Sequence, residues 1–261
     1  MTQNELSMWQ RWLAEKKRQR GRRALERQLD YQETKAEQVS GSEVGIGLTV
    51  INHAQTIRKR LEKIQPISGE TRILEVGSGA HGLIFGFGNK FKVGIDPLAV
   101  DYRRLFPAWQ RNVQTIAAIG EKLPFADASF DVVLSDNVID HAENPIKIVE
   151  ELARVLKPEG LLYFTVNIHH PIYSAASAAH GWWNALGIRF ELSPFADHTI
   201  HFTENKIKEV FARLPFQILE ENSSIEQTKA EHRQIKPIHF ESILKKVFFK
   251  NALFEVVAIR K

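Results

Sequence analysis

Cysteine is absent from the chain. Disulfides, thiolate-bound zinc and cysteine nucleophiles are thereby excluded. Also missing is any apolar run long and uncharged enough to cross a bilayer. The N-terminus lacks the basic-then-apolar pattern of an export signal, so a cytoplasmic location is expected. Internal repeats and low-complexity tracts are absent, which argues against a solenoid or a disordered linker. What remains is an ordinary globular composition: 261 residues, 43% hydrophobic and 25% charged. That is enough apolar material for one large α/β domain with an extension.

The net charge of +4 is unevenly placed. Arg11, Lys16, Lys17, Arg18, Arg20, Arg22, Arg23 and Arg27 face only Glu15 and Glu26 in residues 11–27, a local +6 that leaves −2 for the rest. Basic character therefore belongs to one segment, which could meet an anionic partner such as a lipid surface or nucleic acid, or could be a solvated helix face. Residues 4–38 read as a helix broken near Gly21, and Ser40-Gly41-Ser42 as a break. This defines an N-terminal basic helical extension over 1–45. A second helix is expected over Thr49–Ile64, with Ile51, Ala54, Ile57 and Leu61 on its apolar face.

From Arg72 the texture changes. Strands are expected at Arg72–Val76, Phe91–Ile95, Val113–Ala118, Phe130–Ser135 and Gly160–Val166, with helical patterns between them. The clearest helix is Pro145–Leu156, capped by Asn144, with Pro145 where the first turn needs no N–H. Such alternation means parallel strands with crossover helices. A His- and Trp-rich connection follows (Ile168–His201), then a helix (Glu204–Leu214), a strand (Phe216–Glu221), a polar stretch and a last strand (Phe254–Ile259). The final two strands suggest an antiparallel, hairpin-like edge.

Three elements carry chemistry. In Leu74-Glu75-Val76-Gly77-Ser78-Gly79-Ala80-His81-Gly82, glycines follow a strand and should open a helix. They let the backbone turn tightly and approach a ligand where a Cβ would collide. N–H groups at a helix start favour a carboxylate or phosphate. Gly94-Ile95-Asp96-Pro97 ends the next strand, where a carboxylate can accept both hydroxyls of a ribose. The spacing suits one strand–helix–strand unit, and a dinucleotide site fits the glycines alone equally well. The third element is the run Glu121-Lys122-Leu123-Pro124-Phe125 through Ser129-Phe130-Asp131-Val132-Val133-Leu134-Ser135.

Taken in order with Leu156-Lys157-Pro158-Glu159-Gly160, these elements resemble the class I S-adenosylmethionine-dependent methyltransferases, in particular their small-molecule group. The resemblance covers roughly Ile73–Val166, and His201-Phe202-Thr203 with the following helix is similar to that group's C-terminal part. It implies a Rossmann-like α/β fold with a seven-stranded sheet, mostly parallel with an antiparallel last strand. The methyltransferase domain would span 46–261, with a lid-like insertion at 168–202.

It also implies roles by position. Gly77, Ser78 and Gly79 would approach the methionine part of S-adenosylmethionine. Glu75 would help hold its ammonium group, and Asp96 with Pro97 would meet the ribose. Gly120 and Glu121 would lie against adenine, and Ser135 would face the methionine amine. Ile119 stands where that group often has an acidic residue near adenine.

Methyl transfer needs an in-line approach with water excluded, and a base only where the acceptor must lose a proton. Asn137, Asp140, His141, Asn167, His169 and His170 follow the fourth and fifth strands. His141 is the first choice as base and His169 the second. Half of the ten histidines (His169, His170, His180, His198, His201) fall between 169 and 201, suggesting a polar pocket wall without the spacing of a metal site. Trp182 and Trp183 could cap an acceptor or pack a lid onto the core.

Without cysteine, methylation of pyrimidine carbon through a thiolate is excluded. Ser135-Asp136-Asn137-Val138 lacks an Asn-Pro-Pro-Tyr-like motif, which argues against amino-methylation of DNA bases. The expected activity is methyl transfer to an oxygen or nitrogen of a small organic acceptor. A cofactor-binding scaffold and an NAD-dependent oxidoreductase are the alternatives. Glu75, the Leu-Pro-Phe run and the antiparallel last strand weigh against the latter.

Overall fold

The computed structural model describes residues 8–39, 43–175, 201–236 and 240–261. Trp182, Trp183, His180, His198 and most of the expected lid at 168–202 lie outside the described residues. The elements run α1 (Met8–Val39), α2 (Glu43–Glu62), β1 (Ile73–Val76), β2 (Lys92–Ile95), α3 (Ala99–Leu105), α4 (Pro107–Gln110), β3 (Gln114–Ile116), β4 (Phe130–Asp136), α5 (Pro145–Val155) and β5 (Leu156–Ile168). There follow α6 (Glu204–Ala212), β6 (Phe216–Ser223), α7 (Ile225–Gln234), α8 (Phe240–Val247) and β7 (Ala252–Arg260).

The strands form one seven-stranded sheet in the order β3-β2-β1-β4-β5-β7-β6. The pairs from β3 to β5 are parallel, and β7 is antiparallel to both of its neighbours. β1, buried at all four positions, sits near the middle, as a strand covered on both faces should. One face packs on α5 and α6 through Ile148, Val149, Leu152, Ile207, Val210 and Phe211. On the other, Ala54, Ile57 and Leu61 of α2 meet Ile73, Val132, Leu134, Leu161 and Tyr163.

Pro145 starts α5, and Asn144 caps it by accepting the Lys147 N–H at 3.3 Å. Arg60 of α2 bonds Glu220 and Glu255 at 2.5 Å each, and Tyr163 donates its hydroxyl to Glu255 at 2.8 Å. This clamp ties α2 to β5, β6 and β7. No helix among the described residues is long and apolar enough to cross a membrane.

Four expectations change. Gly21 does not break α1, which is continuous for 32 residues. It is buried, and a Cβ there would lie 3.0 Å from Glu143 Oε1, so the glycine marks close approach. α2 begins at Glu43, so the expected boundary at 46 falls inside a helix.

No α-helix follows the glycines of β1. Residues Leu83–Gly86 make one buried 3₁₀ turn, because α2 fills the space beside it and a Cβ on Gly86 would come within 2.4 Å of Ala54 Cβ. Finally, β6 and β7 pair antiparallel but form no simple edge hairpin. β7 lies inside the sheet, and α7 and α8 occupy the connection read as a polar stretch.

Candidate active site

β1 runs straight into Gly77, whose φ of +76° suits glycine. A Cβ at that position would sit 2.2 Å from Val138 Cγ2, so the β1 loop lies against the loop after β4. The Gly77 and Ser78 N–H groups donate to Ile95 O at 2.7 and 3.0 Å, which leans the loop onto the end of β2. Gly79 also has positive φ, +54°, but a Cβ there would meet nothing within 4 Å. Gln110 holds the loop from the far side, donating to Ala80 O at 2.8 Å. Gly94 leaves room for Ser78, since a Cβ there would be 2.6 Å from Ser78 Oγ.

Asp96 ends β2 and is 9% exposed. Its Oδ2 accepts the Gly79 N–H at 3.0 Å and its Oδ1 the Leu98 N–H at 2.8 Å. Burial raises the pKa of Asp96, and these two N–H bonds oppose the rise. A carboxylate can accept about four hydrogen bonds, so each oxygen retains capacity for a ligand. Pro97 is exposed at the turn into α3.

Glu75 is almost wholly buried, and its carboxylate oxygens accept the Leu83 N–H at 3.0 Å and the Ile84 N–H at 2.8 Å. It therefore takes up, from within the protein, the N–H groups at the turn's start that were expected to face a ligand. Burial pushes it up to about 8, aided by the negative charges of Asp136 and Asp96 and opposed by the two N–H bonds.

Ser135 is wholly buried, and its Oγ has no hydrogen-bond partner among the described residues. Strand alternation puts Asp136 on the opposite face, half-buried near Glu75, where it accepts the Thr165 hydroxyl at 2.5 Å. Sequence reasoning missed this carboxylate. The signal available was that alternation, hidden because β4 is apolar on both faces.

At the positions expected to face adenine, Gly120 is buried, and a Cβ there would be 3.0 Å from Ile148 Cδ1 and 3.2 Å from Val76 Cγ1. Glu121 Oε1 accepts the Glu143 and Asn144 N–H groups at 3.0 and 3.1 Å, fastening the entry to α5. Ile119 is 51% exposed and offers an apolar surface. Over the same end of the sheet, Leu29 and Ala36 of α1 pack on Ala80, Leu98, Tyr102 and Phe106. Glu33 bonds Arg104 at 3.0 Å. His81 packs edge-on against Phe106 with ring centroids 4.6 Å apart, and burial lowers it to about 4, with Lys35 adding to the effect.

The other named candidates sit at the ends of β4 and β5. Asp140 is wholly buried, while Asn137 Oδ1 accepts the Asn167 backbone and side-chain N–H groups at 3.2 and 2.6 Å. The backbone of His141 closes a 3₁₀ turn, Ile139–His141, and its side chain lies outside what is described. His169 is wholly buried, 4.8 Å from the His201 ring centroid, and its Nδ1 accepts the Asn251 N–H at 3.2 Å. That bond fixes the proton of the neutral ring on Nε2 and makes His169 a donor rather than a base. Gly77, Gly79, Asp96 and Asp136 thus gather around β1, while His169 stands beyond β4, at the end of β5.

This architecture is the class I methyltransferase fold. The Methyltransferase domain family matches residues 74–164, from β1 into β5. An uncharacterized methyltransferase of Mycobacterium sp. (strain JLS) is 35% identical over 104 residues, 38% of this chain and 40% of that protein. The uncharacterized protein MJ1123 of Methanocaldococcus jannaschii is 35% identical over 103 residues, 40% of this chain and 48% of that one. The matches therefore span less than half the length of these relatives.

Among solved structures, geranyl diphosphate C-methyltransferase from Streptomyces coelicolor superposes with a TM-score of 0.57 at 14% identity, covering 80% of this chain and 77% of that one. The YcgJ protein of Bacillus subtilis gives 0.53 at 18% identity, over 80% and 99% of the two chains. At such identities the likeness speaks to fold alone.

Proposed function

We propose that this chain binds S-adenosylmethionine between the β1 loop and Asp96 and transfers its methyl group to an oxygen or nitrogen of a small organic acceptor. The observation that carries the reading is the pairing of Gly79 with Asp96. A positive-φ glycine with open space where a side chain would stand is hydrogen-bonded to a strand-end carboxylate with capacity left on both oxygens. The residues present fit the cofactor: Asp96 for the ribose hydroxyls, Ile119 for the adenine face, and the backbone of Gly77–Gly79 with Asp136 for the amino-acid end. Glu75 shapes the loop through Leu83 and Ile84 and acts on the cofactor only through that geometry.

When bound, S-adenosylmethionine supplies an electrophilic methyl carbon on a sulfonium. The chain's part is to orient, to exclude water and, for a hydroxyl acceptor, to take a proton. For that last task His141 is the candidate base. Arg22 and Arg23 lie exposed on α1, on the basic segment that would meet an anionic partner.

Calorimetry with S-adenosylmethionine, its demethylated product and NAD tests the reading. Binding of the first two is expected, and binding of NAD alone overturns it. Asp96→Ala is expected to weaken cofactor binding more than about tenfold through lost charge-assisted bonds. Near-normal affinity in a folded variant rejects that role.

A further inference from the structure

α1 rests on the rest of the molecule at two separated places. Gly21 lies against Glu143, in the loop that leads from β4 into α5. Leu29 and Ala36 pack on Ala80, Leu98, Tyr102 and Phe106, beside the β1 loop and along α3. Gln28 is hydrogen-bonded to the Tyr102 hydroxyl, which lies close enough to Asp96 to feel its charge. Lys35 stands close to His81 in the same way.

The order of the sheet decides what lies between these two supports. β1 sits between β4 and β2, and the three strands are parallel. A helix that touches the loop after β4 and also the helix after β2 must pass the end of β1, where Gly77 and Gly79 turn. Gly21 to Leu29 is about 12 Å of helix. Between them the described side chains are exposed. Leu25, one turn from each and on the face they share, is 38% exposed, so that face is not packed there as it is at either end. α1 is thus supported at two points and loosely covered between them, over the glycine loop.

A second observation comes from Gln32, one turn beyond Gln28. It is 8% exposed, and its Oε1 has no hydrogen-bond partner among the described residues. It shares the face of Leu29 and Ala36, which packs beside Ala80, the residue after Gly79. A buried carbonyl oxygen without a donor is costly, and such groups are normally met by water or a ligand. Asp96 and Ile119 suit the ribose and adenine, which leaves the amino-acid end of the cofactor for the glycine loop. Its ammonium group brings N–H donors, the chemistry a lone carbonyl oxygen accepts.

We infer that α1 closes over bound S-adenosylmethionine, with the Gln32 carbonyl oxygen accepting a hydrogen bond from the cofactor's ammonium group. The inference rests on the methyltransferase reading and adds to it a binding residue from outside the family match at 74–164. Such a strap keeps water from the sulfonium and makes cofactor exchange depend on the helix lifting.

The test compares wild type with Gln32→Met, close in volume but apolar. The probes are S-adenosylhomocysteine, which keeps the ammonium group, and 5′-methylthioadenosine, which lacks the amino-acid end. Calorimetry on the full chain is expected to show S-adenosylhomocysteine weakened more than about tenfold by the substitution and 5′-methylthioadenosine unchanged. The thermal midpoint without ligand should stay or rise, because an unpartnered buried oxygen has been removed. Unchanged S-adenosylhomocysteine affinity overturns the role of Gln32, as does equal weakening of both ligands, which a merely structural residue would give.

Trypsin reads the helix itself. Arg22 and Arg23 are exposed on α1, and Arg233, exposed on α7, is the control. Saturating S-adenosylhomocysteine is expected to slow cleavage after Arg22 and Arg23 while cleavage after Arg233 keeps its rate. Equal slowing at both places, or none on α1, overturns the strap. If wild type binds neither probe nor S-adenosylmethionine, the methyltransferase reading falls and takes the inference with it. If they bind and Gln32 and α1 do not respond, the inference alone falls.

Discussion

The two halves of the sheet's edge that carries Gly79, Asp96 and His169 are built differently. At the β1–β2 end the geometry is set by backbone and by residues close in sequence. Glu75 holds Leu83 and Ile84, Gly77 leans on Ile95, and Gly79 meets Asp96. At the β5–β7 end it is set by side chains brought together from afar. His169 meets Asn251 from 82 residues away, and Tyr173 reaches Phe248 O across 75. A ligand common to many proteins can be held by such a local loop. A surface built from distant segments is one that insertions can vary, and the α7–α8 connection belongs to this second kind.

The sharpest way to break this contrast is Gly77→Ala. Positive φ costs an alanine about 1–2 kcal/mol, and the new methyl would strike Val138. A loss of about 3 kcal/mol or more in urea unfolding is expected. A near-neutral result would mean that the β1 loop is not locked. Gly79→Ala should separate stability from binding: with open space around it, only the φ cost of about 1 kcal/mol applies. Cofactor affinity should nonetheless fall at least tenfold. Unchanged affinity would place the ligand elsewhere.

Glu75 offers a pH test of the same loop. Its folded-state pKa, about 8, exceeds the unfolded value near 4.5, so its contribution is fully present below pH 4.5 and is lost as pH rises toward 8. Urea melts should show wild type losing up to about 1.4 kcal/mol per pH unit relative to Glu75→Gln in that window. Parallel curves would mean that Glu75 is ionised in the fold. His81 has the opposite sign. Held near 4 against 6.5 unfolded, it contributes above pH 6.5 and loses that contribution as pH falls toward 4. His81→Phe should flatten this acid limb, and an unchanged limb would assign it to other groups.

The same division explains what the sequence made legible. Strand positions, α5 with its cap and the Gly77–Asp96 unit follow from local periodicity and turn chemistry, and they are found within a few residues. α7 escaped because Ile225–Gln234 buries only Thr228, leaving no apolar stripe to read. The 3₁₀ turn in place of a helix depends on α2 packing against Gly86, a contact between distant segments. Asp136 and the tautomer of His169 are likewise tertiary facts: one needs the facing of β4, the other the Asn251 N–H.

Gly21 carries the smallest expected effect and tests whether α1 rests on the loop that enters α5. In an isolated helix, Gly→Ala stabilises by about 0.8–1 kcal/mol. Here the added methyl would meet Glu143 Oε1 at 3.0 Å and Cγ at 3.1 Å, tight contacts with a side chain able to shift. If α1 rests against the entry to α5, where Glu121 fastens Glu143 and Asn144, that crowding should cancel most of the gain. Gly21→Ala should then change stability by less than about 0.5 kcal/mol, while Gly21→Ala with Glu143→Ala recovers the helix gain relative to Glu143→Ala alone. A full gain in the single variant would mean that α1 stands clear of the loop and is held there by Leu29, Glu33 and Ala36 instead.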